Sequence, residues 1–389
     1  MKNMIYAVFL AMFSIVIFLA MDMYLPALPA IAKELNLTND MAQYTITIWF
    51  LGSSSLQLVL GPIADNYGRK NVFLFGILIF IASSSIIALT DNYKIILIAR
   101  FFQGTSVCST MVAGLSTIHH VFSGKVAVQV MSVLMTITIL APSLGPLLGA
   151  YIVKNYSWNM IFWLLSIAGI IGFFAHLIVM PNTKDPTADF NLLQILKAYL
   201  ELLTNRDFMI FVGVNCLLTS AFFIWIVESP FIIIEALGLG ELYYGYIQIP
   251  IFGAFIIGGQ LTRYFVKFFP VKNIVIIGLC IALIGSSFFL AAASFELQTS
   301  YVISAMTMLA IGASMTFGPL NRYTIISSES PMGNKVALNS LSTSICGVLS
   351  SFFVSFINNM TFYNISVPIF CVTSFAVLLF ACVKVPEID

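Results

Sequence analysis

Gly61-Pro62-Ile63-Ala64-Asp65-Asn66-Tyr67-Gly68-Arg69-Lys70 decides how this chain is read. An apolar run at about 42–62 leads into it, and Asn71–Thr90 after it contains no Asp, Glu, Lys or Arg. About 20 apolar residues cross the hydrocarbon of a bilayer. The two glycines permit a tight turn. The stretch therefore reads as a helical hairpin, with Asp65 ending one span and Arg69 and Lys70 opening the next among the headgroups.

Working outward, the same pattern repeats along 389 residues that are 60% hydrophobic and 8% charged, with a mean hydropathy of +1.01. Soluble domains carry about 25% charged residues, so lipid must be the solvent for most of this surface. Spans are expected at about 4–25, 42–62, 72–90, 95–118, 126–147, 158–180, 208–231, 242–264, 273–293, 299–320, 336–356 and 364–383. Val126–Val153, Leu242–Thr262 and Asn273–Phe295 are free of charge, and Val336–Val383 is divided only by Asn358-Asn359-Met360-Thr361. The first run, from Met1 to Ala20, continues past signal-peptide length into Asp22-Met23-Tyr24-Leu25-Pro26, which reads as an uncleaved helix.

The fold class expected is an all-α membrane protein of 12 transmembrane helices in two six-helix halves. The halves are 1–180 and 208–389, joined by a cytoplasmic linker at 181–207. Within that linker Phe190, Leu193, Leu196, Leu200 and Leu203 recur at helical spacing, the mark of an amphipathic helix lying at the interface. Two repeats suit a transporter that exposes a midplane site alternately to either side. With the N-terminus in the cytoplasm, thirteen Lys and Arg fall in inner loops against three (Lys33, Lys94, Lys154) in outer ones. Both termini are therefore expected inside.

A net charge of +1 offers no basic face for nucleic acid. The six cysteines lie in apolar stretches without a CxxC pair, so neither a metal site nor a disulfide framework is expected. No GxxxxGK, HExxH or GxSxG motif occurs, so ATP is not the driver and the chain is not read as an enzyme; no cofactor is expected.

The spacing G-x-x-x-D-x-x-G-R-K at Gly61, Asp65, Gly68, Arg69 and Lys70 resembles the signature loop of the major facilitator superfamily, with Ile63 and Asn66 as departures. Arg100-Phe101-Phe102-Gln103-Gly104 resembles the family's R-x-x-Q-G motif of helix four. Pro142-Ser143-Leu144-Gly145-Pro146-Leu147-Leu148-Gly149 is similar to the antiporter motif of exporting members, with alanines at its outer positions. Asp22 to Ile31 and Ser229-Pro230-Phe231 resemble the Bcr/CflA branch of the drug:H+ antiporters, whereas Ser116-Thr117-Ile118-His119-His120 departs from that branch. The resemblance covers essentially the whole chain. It implies a monomeric, proton-coupled exporter of small amphipathic compounds in a bacterial inner membrane, working by alternating access. It also implies that Asp65 and Arg69 latch the outward-open state, with Gly61, Gly68, Lys70, Pro142, Gly145, Pro146 and Gly149 shaping the gate.

Ionisable residues inside spans are expensive and mark function. They are Asp22, Arg100, His176 and Glu228. By the resemblance, helices one, four, seven and ten line the cavity, so Asp22, Arg100 and Glu228 fall on lining helices, each toward its outer end. Either acid is expected to pair with Arg100 when substrate is absent. Burial opposes the acid's charge and the guanidinium favours it, which leaves an exchangeable proton. Glu228 and Asp22 are the candidates for proton coupling. Arg100, Gln103, Tyr24, Trp49, Phe102, Trp225 and Phe231 are the candidates for the substrate cavity, the aromatics by stacking. Met111, Met131 and Met135 are candidates for an adaptable wall. His176 reads as a buried, hydrogen-bonded histidine, His119 and His120 as interfacial, and Asn321 and Arg322 as gate residues or a cytoplasmic anchor. Export of an endogenous metabolite such as a siderophore, or uptake of a nutrient, fits the same fold.

Overall fold

The computed structural model describes residues 2–122, 126, 130, 134, 140–183, 192–330, 332–354 and 361–383. Most of the expected fifth span before 140, the linker at 184–191 and Asn358–Met360 lie outside these residues. The described chain falls into two compact units, Met1–Asn191 and Leu192–Asp389.

The first unit contains α1 (Lys2–Asp22), α2 (Leu28–Glu34), α3 (Asn39–Ser55), α4 (Leu60–Tyr67), α5 (Arg69–Leu89), α6 (Tyr93–Ser109), α7 (Leu115–Val121), α8 (Leu140–Asn155) and α9 (Asn159–Val179). The second contains α10 (Leu192–Thr204), α11 (Arg206–Pro230), α12 (Glu241–Phe265), α13 (Val271–Ser294), α14 (Thr299–Ile326), α15 (Met332–Val354) and α16 (Phe362–Ala381). Among the described residues, ten helical stretches are long and apolar enough to span a membrane. The expected second and fifth spans are not among the ten. The second is divided between α3 and α4, and the fifth is described in full only from 140.

Three spans depart from straight helices for local reasons. The first tightens before Pro26, where Tyr24 N donates to Met21 O at 3.2 Å, and then resumes as α2 with Pro29 in its first turn. Proline has no N–H to give, so the break falls there. The fourth widens into a π-helical turn at Thr110–Gly114. Ser109 and Thr110 hydroxyls both donate to Ser106 O there, at 2.8 and 3.3 Å, and compete with the backbone ladder. A second π turn, Phe231–Ala236, carries the seventh span beyond Pro230.

The hairpin of the opening motif forms as read. Gly68 holds φ at +93°, closing α4 and opening α5. Asp65 and Arg69 pair across one turn at 2.8 Å, while Arg69 N donates to Thr183 O and Lys70 Nζ to Leu177 O. The loop is thus tied to the end of α9. In the second unit the buried ammonium of Lys335 closes a helix end in a similar way, donating to Ile325 O and Ser328 O at the C-terminus of α14. Helix α10 packs on α11 and α15 with Tyr199 and Leu202 buried, and leaves Leu200 and Leu203 exposed.

Helices α3 and α6 meet at two glycines. A Cβ built on Gly104 would lie 2.1 Å from Trp49 O, and one on Gly52 would lie 2.1 Å from Phe101 O. Small residues let backbones approach in a bilayer, where helix packing relies on close contact. Gly253, in α12, faces open space. Gly104→Ala should therefore lower the melting temperature of the detergent-purified protein, whereas Gly253→Ala should hold or raise it by relieving the roughly 0.5–1 kcal/mol cost of a helical glycine. Equal melting temperatures for the two variants would refute the close contact.

Candidate functional site

Arg100 stands in the middle of α6, fully buried. Hydrocarbon charges about 2.5–3.5 kcal/mol for such a cation by insertion scales, and its surroundings show how the cost is offset. One terminal nitrogen, Nη1, donates to Ala20 O at 3.0 Å and to Gln103 Oε1 at 2.6 Å. Nε donates to Thr45 O at 3.5 Å, and Nη2 meets the Met21 sulfur at 3.6 Å. The guanidinium carbon lies 4.3 Å from the centre of the Tyr24 ring and 5.7 Å from that of Trp49. Cation–π contacts gain strength when water is excluded.

Each partner is itself held. Gln103 Nε2 donates to Ser84 Oγ at 2.8 Å. The Tyr24 hydroxyl bonds Thr45 Oγ1 at 2.8 Å, and that hydroxyl donates onward to Ala42 O. Four helices are drawn onto one cation: the end of α1, α3, α5 through Ser84, and α6. The R-x-x-Q pair works because i and i+3 share a helical face.

Asp22 is one residue beyond Met21 but faces elsewhere. It is 8% exposed, and a Cβ on Gly145 of α8 would come within 2.4 Å of the Asp22 Cβ. Gly149, one turn on, would meet Met23 O at 2.1 Å. The two glycines of the antiporter-like motif are therefore the surface on which the end of α1 rests. Among the described residues Asp22 makes no ion pair. The expected Asp22–Arg100 pair does not form, because backbone carbonyls, Gln103 and two rings already occupy the guanidinium.

Of the residues singled out from sequence, the fold gathers Tyr24, Trp49, Arg100 and Gln103 and sets Asp22 beside them. Phe102 points away: it is 48% exposed and borders an apolar groove of about 370 Å³ with Ile79, Ile95 and Ile98. Glu228, Trp225 and Phe231 are buried in the second unit. Trp225 donates to Gln248 Oε1 at 3.2 Å and stacks parallel to Phe362. His176 bonds Gly172 O through Nδ1 at 2.7 Å amid the rings of Tyr6, Phe9, Phe13 and Phe73. Thr45, Ser84 and Gly52 were not singled out. Their signal was small polar or glycine residues inside apolar spans, which names no role until helical phase is known.

A helix bundle that buries a guanidinium held by backbone carbonyls and, near it, a carboxyl with no ion pair among the described residues has the construction of a membrane transporter. Residues 10–354 match the family model of the Major Facilitator Superfamily, and the chain belongs to that family. It is a multi-pass transporter-family protein rather than an enzyme, with the family's two six-helix halves. Relatives include multidrug resistance protein MdtM of Escherichia coli O157:H7, 27% identical over 86% of this chain and 84% of that one. Chloramphenicol resistance protein CraA of Acinetobacter baumannii is 27% identical (85% and 81% covered), and multidrug transporter MdfA of Yersinia pestis 28% (85% and 82%). The fold also matches the xylose transporter XylE from E. coli in a partially occluded inward-open conformation. There the TM-score is 0.77 at 14% identity, covering 99% of this chain and 98% of that one.

Arg100→Lys keeps the charge but loses the planar fork and its stacking. It should destabilise the purified protein by about 2 kcal/mol, while Phe102→Ala stays within about 0.5 kcal/mol in thermal unfolding. Equal effects would show that the Arg100 cage carries no stability.

Proposed function

We propose that this chain exports small amphipathic compounds across a bacterial inner membrane by alternating access, with protons running inward as the driver. Its likeness to multidrug transporters over more than four-fifths of its length supports the export reading. The observation that carries proton coupling is Asp22, a carboxyl buried inside a membrane span at the point where the first helix bends. Seated on Gly145, with Met23 beside it on Gly149, it occupies the joint between α1 and α8. Adding or removing its proton changes the charge at that joint, and a buried charge is the strongest lever on local packing that a single proton supplies. Arg100 acts by holding Ala20 and Met21, so the residues just before Asp22 cannot drift from α6. Glu228, buried before Pro230 in the second unit, is the second proton-carrying candidate. The drug:H+ antiporters of the Bcr/CflA type are the branch this assigns. The protein works as a monomer, with small molecules, protons and lipid as its partners.

Export coupled to inward protons requires a defined orientation, and the excess of Lys and Arg in one set of loops sets both termini in the cytoplasm. Green fluorescent protein fused after Asp389 should fluoresce, and alkaline phosphatase fused there should be inactive. The reverse pattern would invert the topology.

The coupling itself is tested in proteoliposomes. An imposed pH gradient should drive uphill movement of a fluorescent amphipathic cation, with proton release on the opposite side. Asp22→Asn should reduce gradient-driven movement to the leak rate while preserving binding; Glu228→Gln tests the second acid. Transport indifferent to the gradient would sink the antiport reading. Full gradient-driven transport in both variants would sink the proton sites alone.

A further inference from the structure

One end of the second unit holds a cavity of about 560 Å³. Its walls include Leu237 beyond the second π turn, Glu296 and Leu297 between α13 and α14, Thr299 at the start of α14, and Phe362 and Tyr363 at the start of α16. Small-molecule pockets commonly measure about 300–1,000 Å³. The walls are open to a visitor: Leu237, Leu297 and Tyr363 are exposed and Phe362 is half-buried. Phe362 is also braced from behind, parallel to Trp225 and edge-on to Phe289.

Glu296 supplies the only carboxyl in this lining, and it makes no ion pair or hydrogen bond among the described residues. The turn that presents it closes α13 as a Schellman motif. Leu297 N donates to Ala292 O at 2.9 Å and Glu296 N to Ala293 O at 3.3 Å. Glu296 therefore holds φ at +50°, where glycine, or sometimes asparagine, is usual. The matching turn after α2 in the first unit uses Asn36, at φ +53°. A glutamate there carries strain with no local bond in return. The surrounding charge has one sign. Segments 232–241, 294–299 and 355–363 carry Glu235, Glu241 and Glu296 and no Lys, Arg or His. Two helices begin at the cavity and two helical segments end there, so their dipoles offset and the carboxylate sets the sign. A cleft of one charge sign with apolar walls concentrates the opposite ion.

We propose that this cavity binds an organic monocation, with its charge beside the Glu296 carboxylate and its apolar body against Leu237, Leu297 and Phe362. The cavity lies wholly within the second unit and uses neither Asp22 nor Arg100, so the binding does not rest on the export reading. On the proposed orientation it opens to the outside, the face on which an exporter releases its cargo.

Photolysis of the full-length protein in phosphatidylglycerol nanodiscs with 4-azidobenzyl(trimethyl)ammonium should leave adducts at 292–302 or 361–363, mapped by mass spectrometry. Glu296→Gln and Glu296→Gly should each cut those adducts about fivefold, the measure of one partly exposed charge pair. Labelling by the neutral isostere, with a tert-butyl group in place of the trimethylammonium, should not change. Glu296→Gly should also unfold at a temperature no lower than the wild type's, since glycine adopts positive φ freely, so its lost labelling is not misfolding. Absence of adducts from these residues, an equal fall for both probes, or undiminished cation labelling in the folded variants would overturn the site. Loss of the adducts when phosphatidylethanolamine replaces phosphatidylglycerol would overturn it too, by putting a lipid ammonium in the cavity. Transport indifferent to a pH gradient would overturn antiport and leave the labelling as it is.

Discussion

A cation in hydrocarbon has to carry its solvent with it, and the first unit is arranged around that need. Arg100 receives in place of water two backbone carbonyls, a glutamine, a thioether and two aromatic rings. None of these ligands is an anion, so within the first unit carbonyls and rings rather than a counter-ion surround the guanidinium among the described residues. Because the ligands come from several helices, removing the charge or misplacing it would disturb α1, α3 and α6 together. Gly52 and Gly104 are a condition of the same arrangement: without a backbone approach that close, Thr45 O and Trp49 would not reach the side chain from α3.

The acid and the base then have separate roles. Arg100 fixes the residues before Asp22, Gly145 lies against Asp22 itself and Gly149 against Met23 after it. Asp22 stands at the one place in α1 where the ladder of backbone bonds is already interrupted ahead of Pro26. A charge that comes and goes at a rigid mid-helix position would be absorbed by its neighbours. At a break, it acts on a segment whose own hydrogen bonds do not hold it straight. Separation from Arg100 also matters, since a carboxylate locked to a guanidinium would hold on to its ionised form.

How much of this was legible beforehand follows from which physical signals a sequence carries. Runs without charge identify spans, and loop Lys and Arg identify sides, because both are properties of composition alone. The turn at Gly68 was legible because only glycine readily takes φ near +93°. Breaks were not: the interruption after Ser55 and the wide turn at 110–114 lie inside apolar sequence that reads as continuous helix, and the wide turn at 231–236 carries the seventh span past the end expected at 231. Phase was also hidden. Phe102 and Gln103 are neighbours, yet one looks into an apolar groove and the other into the Arg100 cage. A few degrees of uncertainty per residue over a span is enough to exchange them. On α10, Leu200 and Leu203 of the expected interfacial stripe stay exposed while Tyr199 and Leu202 pack on protein. A helix with apolar residues on more than one face leaves open which one meets protein and which meets lipid.

The two units solve the problem of polarity in a membrane in different ways. The first ties one guanidinium to two backbone carbonyls, a glutamine and a thioether, which makes the cage a fixed point. The second buries Lys335 and Glu228 and also neutral amides, of which Asn215 Oδ1 and Asn339 Oδ1 accept nothing among the described residues. A carboxamide is cheaper to bury than an ion, so a pair of empty acceptors can be maintained where an empty charge could not. The guanidinium and the amides thus differ in how firmly they are held, the first tied to several helices at once and the second left with acceptors open among the described residues.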